Sequence, residues 1–399
     1  WAHAGCPSAQ RVLLQLCWGS RDRSMVAVDA VCGAVEDASA DEMRTLFELG
    51  RRLASLRDGL EAARADQFVD VFARSAADNS AYPEACTRSL CFLGSCCPVL
   101  PLVRARALAF FLSSPAGWLE PLLVHNPNDA VRATLSKALE HAAFPSLSAA
   151  QAAPPAPEGG DLKKPQLGGV VDEPALRLIN HLISLLRGDL SALLRPVQGA
   201  RPGGGWRLSN VLSLLGTAFS EDFAGRPFEE AAAACAPLVL RVYCQSLATG
   251  APLNFNLMEA TRLLLSLHNT YPLSLDTLDM SPLLEGHLPL CVLSTNPLAF
   301  QYHNSSLSLH YRLLLGLSQR SPPFLLRCAQ HPSIPWALMR CALTSEQYTD
   351  AAWHLMELVV MSVPYANNDE NLLHLCLTQE VLTNPTWHVP ELLSKLLAP

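Results

Sequence analysis

An all-α solenoid of stacked helical hairpins, interrupted by one disordered linker, is the fold class this sequence predicts, on three observations. Apolar residues recur at helical spacing through most of the 399 residues, and apolar–polar alternation at period two is nowhere sustained. Half of the residues are hydrophobic, whereas 16% are charged and 7% aromatic, a balance that suits helices covered by neighbours on two sides. Residues 145–174, PSLSAAQAAPPAPEGGDLKKPQLGGVVDEP, hold almost no large apolar side chain. Such a segment cannot bury enough surface to offset its ordering entropy. The expected organisation is therefore helical repeats over 1–144, a disordered Ala/Pro/Gly-rich linker over 145–174, and further helical repeats over 175–399.

The first helical stretch, 10–35, carries Val12, Leu13, Leu16 and Cys17, then Met25, Val28, Val31 and Cys32 after a polar break. Asp41 opens the next, with Met43, Leu46, Phe47, Leu49 and Leu53 near one face. Its acids come early and its arginines late, as the helix macrodipole favours. Helices over 67–77, 84–96, 102–112 and 118–124 follow, punctuated by Pro83, Pro98, Pro101 and Pro115.

The most informative stretch is NPNDAVRATLSKALEHAA at 126–143. Asn126-Pro127-Asn128-Asp129 is turn chemistry, because proline fixes φ and Asn and Asp side chains bond nearby amides. Asp129 is the expected N-cap. Val131, Leu135, Ala138, Leu139 and Ala142 then form an apolar stripe, with Arg132, Lys137 and Glu140 assigned to the opposite side. A turn, an Asp, then Val-Arg opening an amphipathic helix resembles the second helix of a HEAT or armadillo repeat.

Beyond the linker the spacing predicts a helix over 175–194 with a kink at Gly188, then a glycine-rich break over 197–205. Helices over 208–219, 228–248, 257–267, 307–318, 323–329, 334–343, 348–361 and 370–382 complete the chain, with Asn, Pro and Ser at the joints. Units of helix, turn and helix recur at very roughly 35–45 residues without strict self-similarity, which degenerate HEAT/armadillo-like repeats tolerate.

A net charge of −7 argues against a nucleic-acid partner, which demands a basic stripe to displace counterions. No run approaches the ~18 uninterrupted apolar residues of a membrane span, so no membrane partner is expected. Trp1 stands where an initiator Met would, and the chain reads as a fragment. Thirteen cysteines without framework spacing fit reduced thiols in a cytoplasmic or nuclear protein.

Catalytic, cofactor and metal sites are all expected to be absent. Cys86, Cys91, Cys96 and Cys97 are spaced five, five and one apart on a helix, whereas zinc pairs sit two to four apart in a turn. They read as core packing. Cys17, Cys32, Cys91, Cys235, Cys244, Cys328, Cys341 and Cys376 lie in apolar helical patterns that predict buried, inert thiols. Asp350, His354 and Glu357 share one helical face, as the polar stripe of any amphipathic helix does. Gly203-Gly204-Gly205 lacks the Lys-Ser/Thr of a phosphate loop and reads as a hinge. Trp336, Tyr348 and Trp353 are the candidate protein-binding residues, aromatic anchors on one hairpin.

That hairpin carries a more specific resemblance. HPSIPWA at 331–337, SEQY at 345–348 and AAWHLMEL at 351–358 resemble the C-terminal armadillo/HEAT-like helical region of the very large, fat-facets-like ubiquitin-specific proteases. The likeness covers about thirty residues. In that family a papain-like domain sits between long helical stretches, and its Asn-Thr-Cys-Tyr catalytic box is absent here. The resemblance implies a non-catalytic scaffold downstream of a deubiquitinase domain, with ubiquitinated substrates or the parent's own catalytic domain as partners. The alternative is a scaffold of an unrelated giant protein, such as a ubiquitin-ligase arm or a transport or chromatin adaptor.

Overall fold

A computed structural model describes residues 82–97, 101–113, 118–144, 173–191, 193–194, 207–220, 226–249, 254–286, 289–290 and 300–331, with isolated positions elsewhere. Every regular element among them is helical, so the chain is all-α as the periodicity predicts. The linker expected over 145–174 lies outside the described residues except for Glu173 and Pro174, which begin a helix. The chain divides into two compact units, residues 1–218 with 223–228, and residues 219–222 with 229–399.

In the first unit, α1 (Pro83–Cys96) starts on a proline, whose missing N–H is no loss in a first turn. Cys86, Ser89, Leu90, Leu93 and Cys97 form its buried stripe. Helix α2 (Pro101–Ser113) buries Val103, Ala107, Leu108 and Phe111. The segment expected as α-helix over 118–124 ends in a π-helical turn, Pro121–His125. The wider turn lets three successive residues, Leu122, Leu123 and Val124, share the core. Helix α3 (Asp129–Ala143) buries the predicted apolar stripe.

Helix α4 (Glu173–Arg187) buries Ala175, Leu178, Ile179, Leu182, Ile183 and Leu186. It stops before Gly188 instead of running on to 194, because the Asp189 carboxylate accepts from the Ser191 amide at 2.9 Å and folds the chain into a turn. Helix α4 packs on α2 and α3, and α1 packs on both α2 and α3. Helix α5 (Ser209–Ser220) carries the chain to the division between the units.

Helix α6 (Arg226–Ala248) contains Pro237. The proline is on the exposed side, so the Ala233 carbonyl it deprives of a partner also faces solvent. This helix is long and apolar enough to cross a membrane by length and composition, with 50% of its most apolar window buried in the fold. Its buried positions Cys235, Ala236, Val239, Val242, Tyr243 and Ser246 recur at helical spacing, the arrangement of a one-sided core helix.

The second unit also holds α7 (Phe255–Thr270), a 3-10 turn (Pro272–Leu275), α8 (Ser281–Glu285), α9 (Phe300–Arg320) and α10 (Pro322–Gln330). Helix α7 packs on α9 and on the 3-10 turn, and α10 folds back on α9. Asn254 caps α7 by accepting from the Leu257 amide at 3.3 Å, and its own amide donates to the Ser246 carbonyl at 2.9 Å. Ser321 caps α10 through the Phe324 amide at 3.4 Å. Helix α9 begins at Phe300, seven residues before the first apolar residue of the expected 307–318 helix, because the polar run Gln301–Ser306 is helical too.

Candidate functional site

The corner that opens α3 is the most constrained polar site in the first unit. The Asn126 side-chain oxygen accepts from the Asn128 amide at 2.9 Å, the Asx turn that Asn-Pro-Asn encodes. The cap itself differs from expectation. Asn128, not Asp129, is the N-cap, accepting from the Ala130 amide at 2.9 Å and the Val131 amide at 3.4 Å. Asp129 is the first helical residue, and its carboxylate pairs with the Arg132 guanidinium.

Arg132 also corrects the sequence reading, which placed it on the outer face. It is 1% exposed and among the largest fully buried side chains. One guanidinium N–H donates to the Asn126 carbonyl while another meets Asp129, so the side chain ties the turn to the first helical turn. Burial, and then the charge of Arg207, pull its pKa below the usual arginine range. A buried cation is tolerable only where acceptors meet it; the Asn126 carbonyl and the Asp129 carboxylate serve its two terminal nitrogens, while Nε is buried without a partner. Asn128→Ala is expected to cost about 0.5–2 kcal/mol, the loss of one cap, measured as a shift in denaturant midpoint.

The far end of α3 is held from α1 and α2. Arg104 Nε donates to the Ala142 carbonyl at 2.5 Å and Arg104 Nη2 to the Ala143 carbonyl at 3.3 Å. A cation thereby covers two orphan carbonyls at the negative end of the dipole. His141 Nδ1 lies 3.0 Å from the Gly94 carbonyl. A Cβ added at Gly94 would sit 3.1 Å from the Ala138 Cα, so α1 and α3 touch backbone to backbone.

The candidate protein-binding residues Trp336, Tyr348 and Trp353 all lie outside the described residues. What the described part of the second unit holds instead is a set of buried polar groups. The Tyr243 hydroxyl lies 3.4 Å from His310 Nδ1, with the two rings parallel and their centroids 6.3 Å apart. A Cβ on Gly286 would come within 2.6 Å of that hydroxyl, so the glycine makes room for it. Burial is the largest influence on Tyr243 and raises its pKa. Asn256 is fully buried and neither end of its amide finds a hydrogen-bond partner. Glu259 is 8% exposed and held by both oxygens to Arg262 Nη1, at 2.8 and 3.0 Å. Burial pushes its carboxyl up and Arg262 pulls it down, with burial prevailing. Sequence periodicity misses these residues because it assigns every polar side chain to the outside.

The thiols are chemically quiet where they are buried. Burial pushes Cys86 up to about 11 and Cys328 to about 11. Cys97 goes to about 12, with Arg104 acting weakly against the trend. Cys235 and Cys244 are raised as well, again chiefly by burial. A nucleophile needs the opposite shift. Cys91 departs from its expected burial and is exposed, because it falls off the stripe set by Cys86, Leu90, Leu93 and Cys97, and Cys244 is half-buried; Cys17, Cys32, Cys341 and Cys376 lie outside the described residues. No cluster of three or more His, Cys, Asp or Glu fit for a metal occurs among the described residues. Of the Asp350, His354 and Glu357 stripe, only His354 lies among them, and it is exposed.

No protein-family model matches the chain. No curated protein matches it significantly.

Proposed function

We propose that the chain is a non-catalytic α-solenoid scaffold, a helical-repeat region of a large deubiquitinating cysteine protease. Its work in this reading is to position ubiquitinated substrates or the parent's own catalytic domain. The observation that carries the scaffold reading is the order of packing. Among the described helices, the extensive contacts join helices one or two places apart in chain order, as α1–α2, α1–α3, α2–α3, α2–α4, α7–α9 and α9–α10 do. Stacked repeats that contact only their neighbours generate that pattern. The deubiquitinase parent rests on the likeness of residues 331–358 alone.

Two measurements test the two parts separately. The purified chain, incubated with a thiol-reactive ubiquitin probe, is expected to form no covalent adduct, since its described buried thiols are held protonated. A stoichiometric adduct that disappears when one cysteine is changed to alanine overturns the non-catalytic reading. Sequencing the transcript upstream of this coding segment is expected to reveal a papain-like Cys box. A transcript without one removes the deubiquitinase parent and leaves a scaffold of another kind.

A further inference from the structure

The seam between α7 and α9 holds a histidine where an apolar residue would be the simpler choice. His268 lies in the last turn of α7, and its ring sits against Gly316 of α9. A Cβ at position 316 would come 2.7 Å from the ring carbon Cδ2 and 3.4 Å from Cε1. The imidazole therefore fills the notch that the missing side chain leaves, with the residue as a whole half-buried in the seam. Nδ1 is buried and makes no hydrogen bond. A neutral ring tolerates that position. A protonated ring carries an N–H on both nitrogens, and the one on Nδ1 would have no acceptor there.

The charges facing the ring are Arg320 and Asp276. Arg320 stands one turn beyond Gly316 on α9, and its guanidinium donates to Asp276 at 3.0 Å. Asp276 closes the 3-10 turn that follows α7 and packs on it. The carboxylate is thus already engaged by a cation, so a second cation on His268 gains little from it. The dipole at the end of α7 favours a cation in its last turn, so it works with Asp276 against burial and Arg320, which prevail.

We propose that His268 is an acid-sensitive latch, and that uptake of a proton on its ring loosens the packing of α7 on α9. Burial first, and then Arg320, hold its pKa below the usual imidazole range, with Asp276 acting the other way. The loosened or unfolded chain binds the proton more readily than the closed seam does. The seam's stability is therefore complete above the ordinary imidazole value of about 6.5. It is lost progressively as the pH falls below that value toward the closed-state pKa.

Hydrogen exchange on the full chain at pH 7.5 and pH 5.5, corrected for intrinsic exchange chemistry, tests this. Peptides from α7 and α9 are expected to lose protection by at least about threefold on acidification. His268→Gln is expected to abolish the pH dependence, while His181→Gln, which changes a histidine on α4 of the other unit, leaves it in place. An unchanged acid response in His268→Gln, or no response in the natural chain, overturns the proposal. Should His268→Gln fail to fold, an NMR titration of the His268 ring in the natural chain decides. A midpoint at or above about 6.5 overturns the latch and a lower one supports it.

Discussion

Val131→Asp is expected to unfold the first unit. Val131 is fully buried on the face of α3 that also carries Leu135, Ala138, Leu139 and Ala142, and α1 is the helix packed most closely on α3. An aspartate there either stays ionised, at a desolvation cost of several kcal/mol, or takes up a proton and still leaves polar atoms without partners. Domain stabilities are only about 5–15 kcal/mol, so a cost of this size removes most of the margin. Val131→Thr keeps the shape and adds one hydroxyl, and is expected to cost about 1–3 kcal/mol. Thermal unfolding by circular dichroism, with hydrogen exchange of the α1 and α3 peptides, separates the two. If the aspartate variant melts with the natural chain, α3 is not packed as described.

Arg132→Ala is expected to follow it in severity, at about 2–5 kcal/mol, the range for emptying a large buried site. The substitution removes a side chain that is 1% exposed and strips the buried Asn126 carbonyl of its guanidinium donor. Arg132→Lys is a poor rescue, because an ammonium lacks the planar fork that reaches Asn126 and Asp129 together. Arg132→Met keeps much of the volume, drops a desolvated charge and ends the opposition with Arg207. It is expected to be milder than Ala, since buried ion pairs often yield to well-packed apolar groups. Denaturant midpoints order the three. An alanine variant within about 0.5 kcal/mol of the natural chain would show that the guanidinium does not brace the turn.

These two residues mark what the sequence makes legible. Val131 belongs to a period-3.6 stripe, and burial of such a stripe is a collective property that one window of sequence displays. Arg132 breaks the stripe, and only the carbonyl of Asn126 and the carboxylate of Asp129 make its burial tolerable. The cue was in the turn itself, where Asn-Pro-Asn-Asp concentrates acceptors beside the first basic residue of the helix. The cap lies one residue before the expected position for a related reason, since Asn128 and Asp129 are both good caps and backbone geometry decides between them. The apolar neighbours of Cys91 suggest the core, yet it lies off the buried stripe of α1 and is exposed. The buried polar groups Asn256, Glu259 and His310 escaped for a different reason. Glu259 has a local partner in Arg262, three residues on in α7, but periodicity alone does not say that the pair is buried, and the Tyr243 partner of His310 comes from another helix altogether.

The contact between Gly94 and Ala138 has a consequence for how sequences of this kind can vary. Most core positions of α1 and α3 can exchange one apolar side chain for another of similar volume, because neighbours repack around the change. At position 94 a side chain would press on the Ala138 backbone itself, which cannot rotate aside. Distant descendants of this fold should therefore drift at Leu90, Leu93, Leu135 and Leu139 while keeping glycine at 94 and a residue no larger than alanine at 138. Two small residues 44 positions apart, each set in an interchangeable apolar stripe, are a signature to look for where overall similarity has faded.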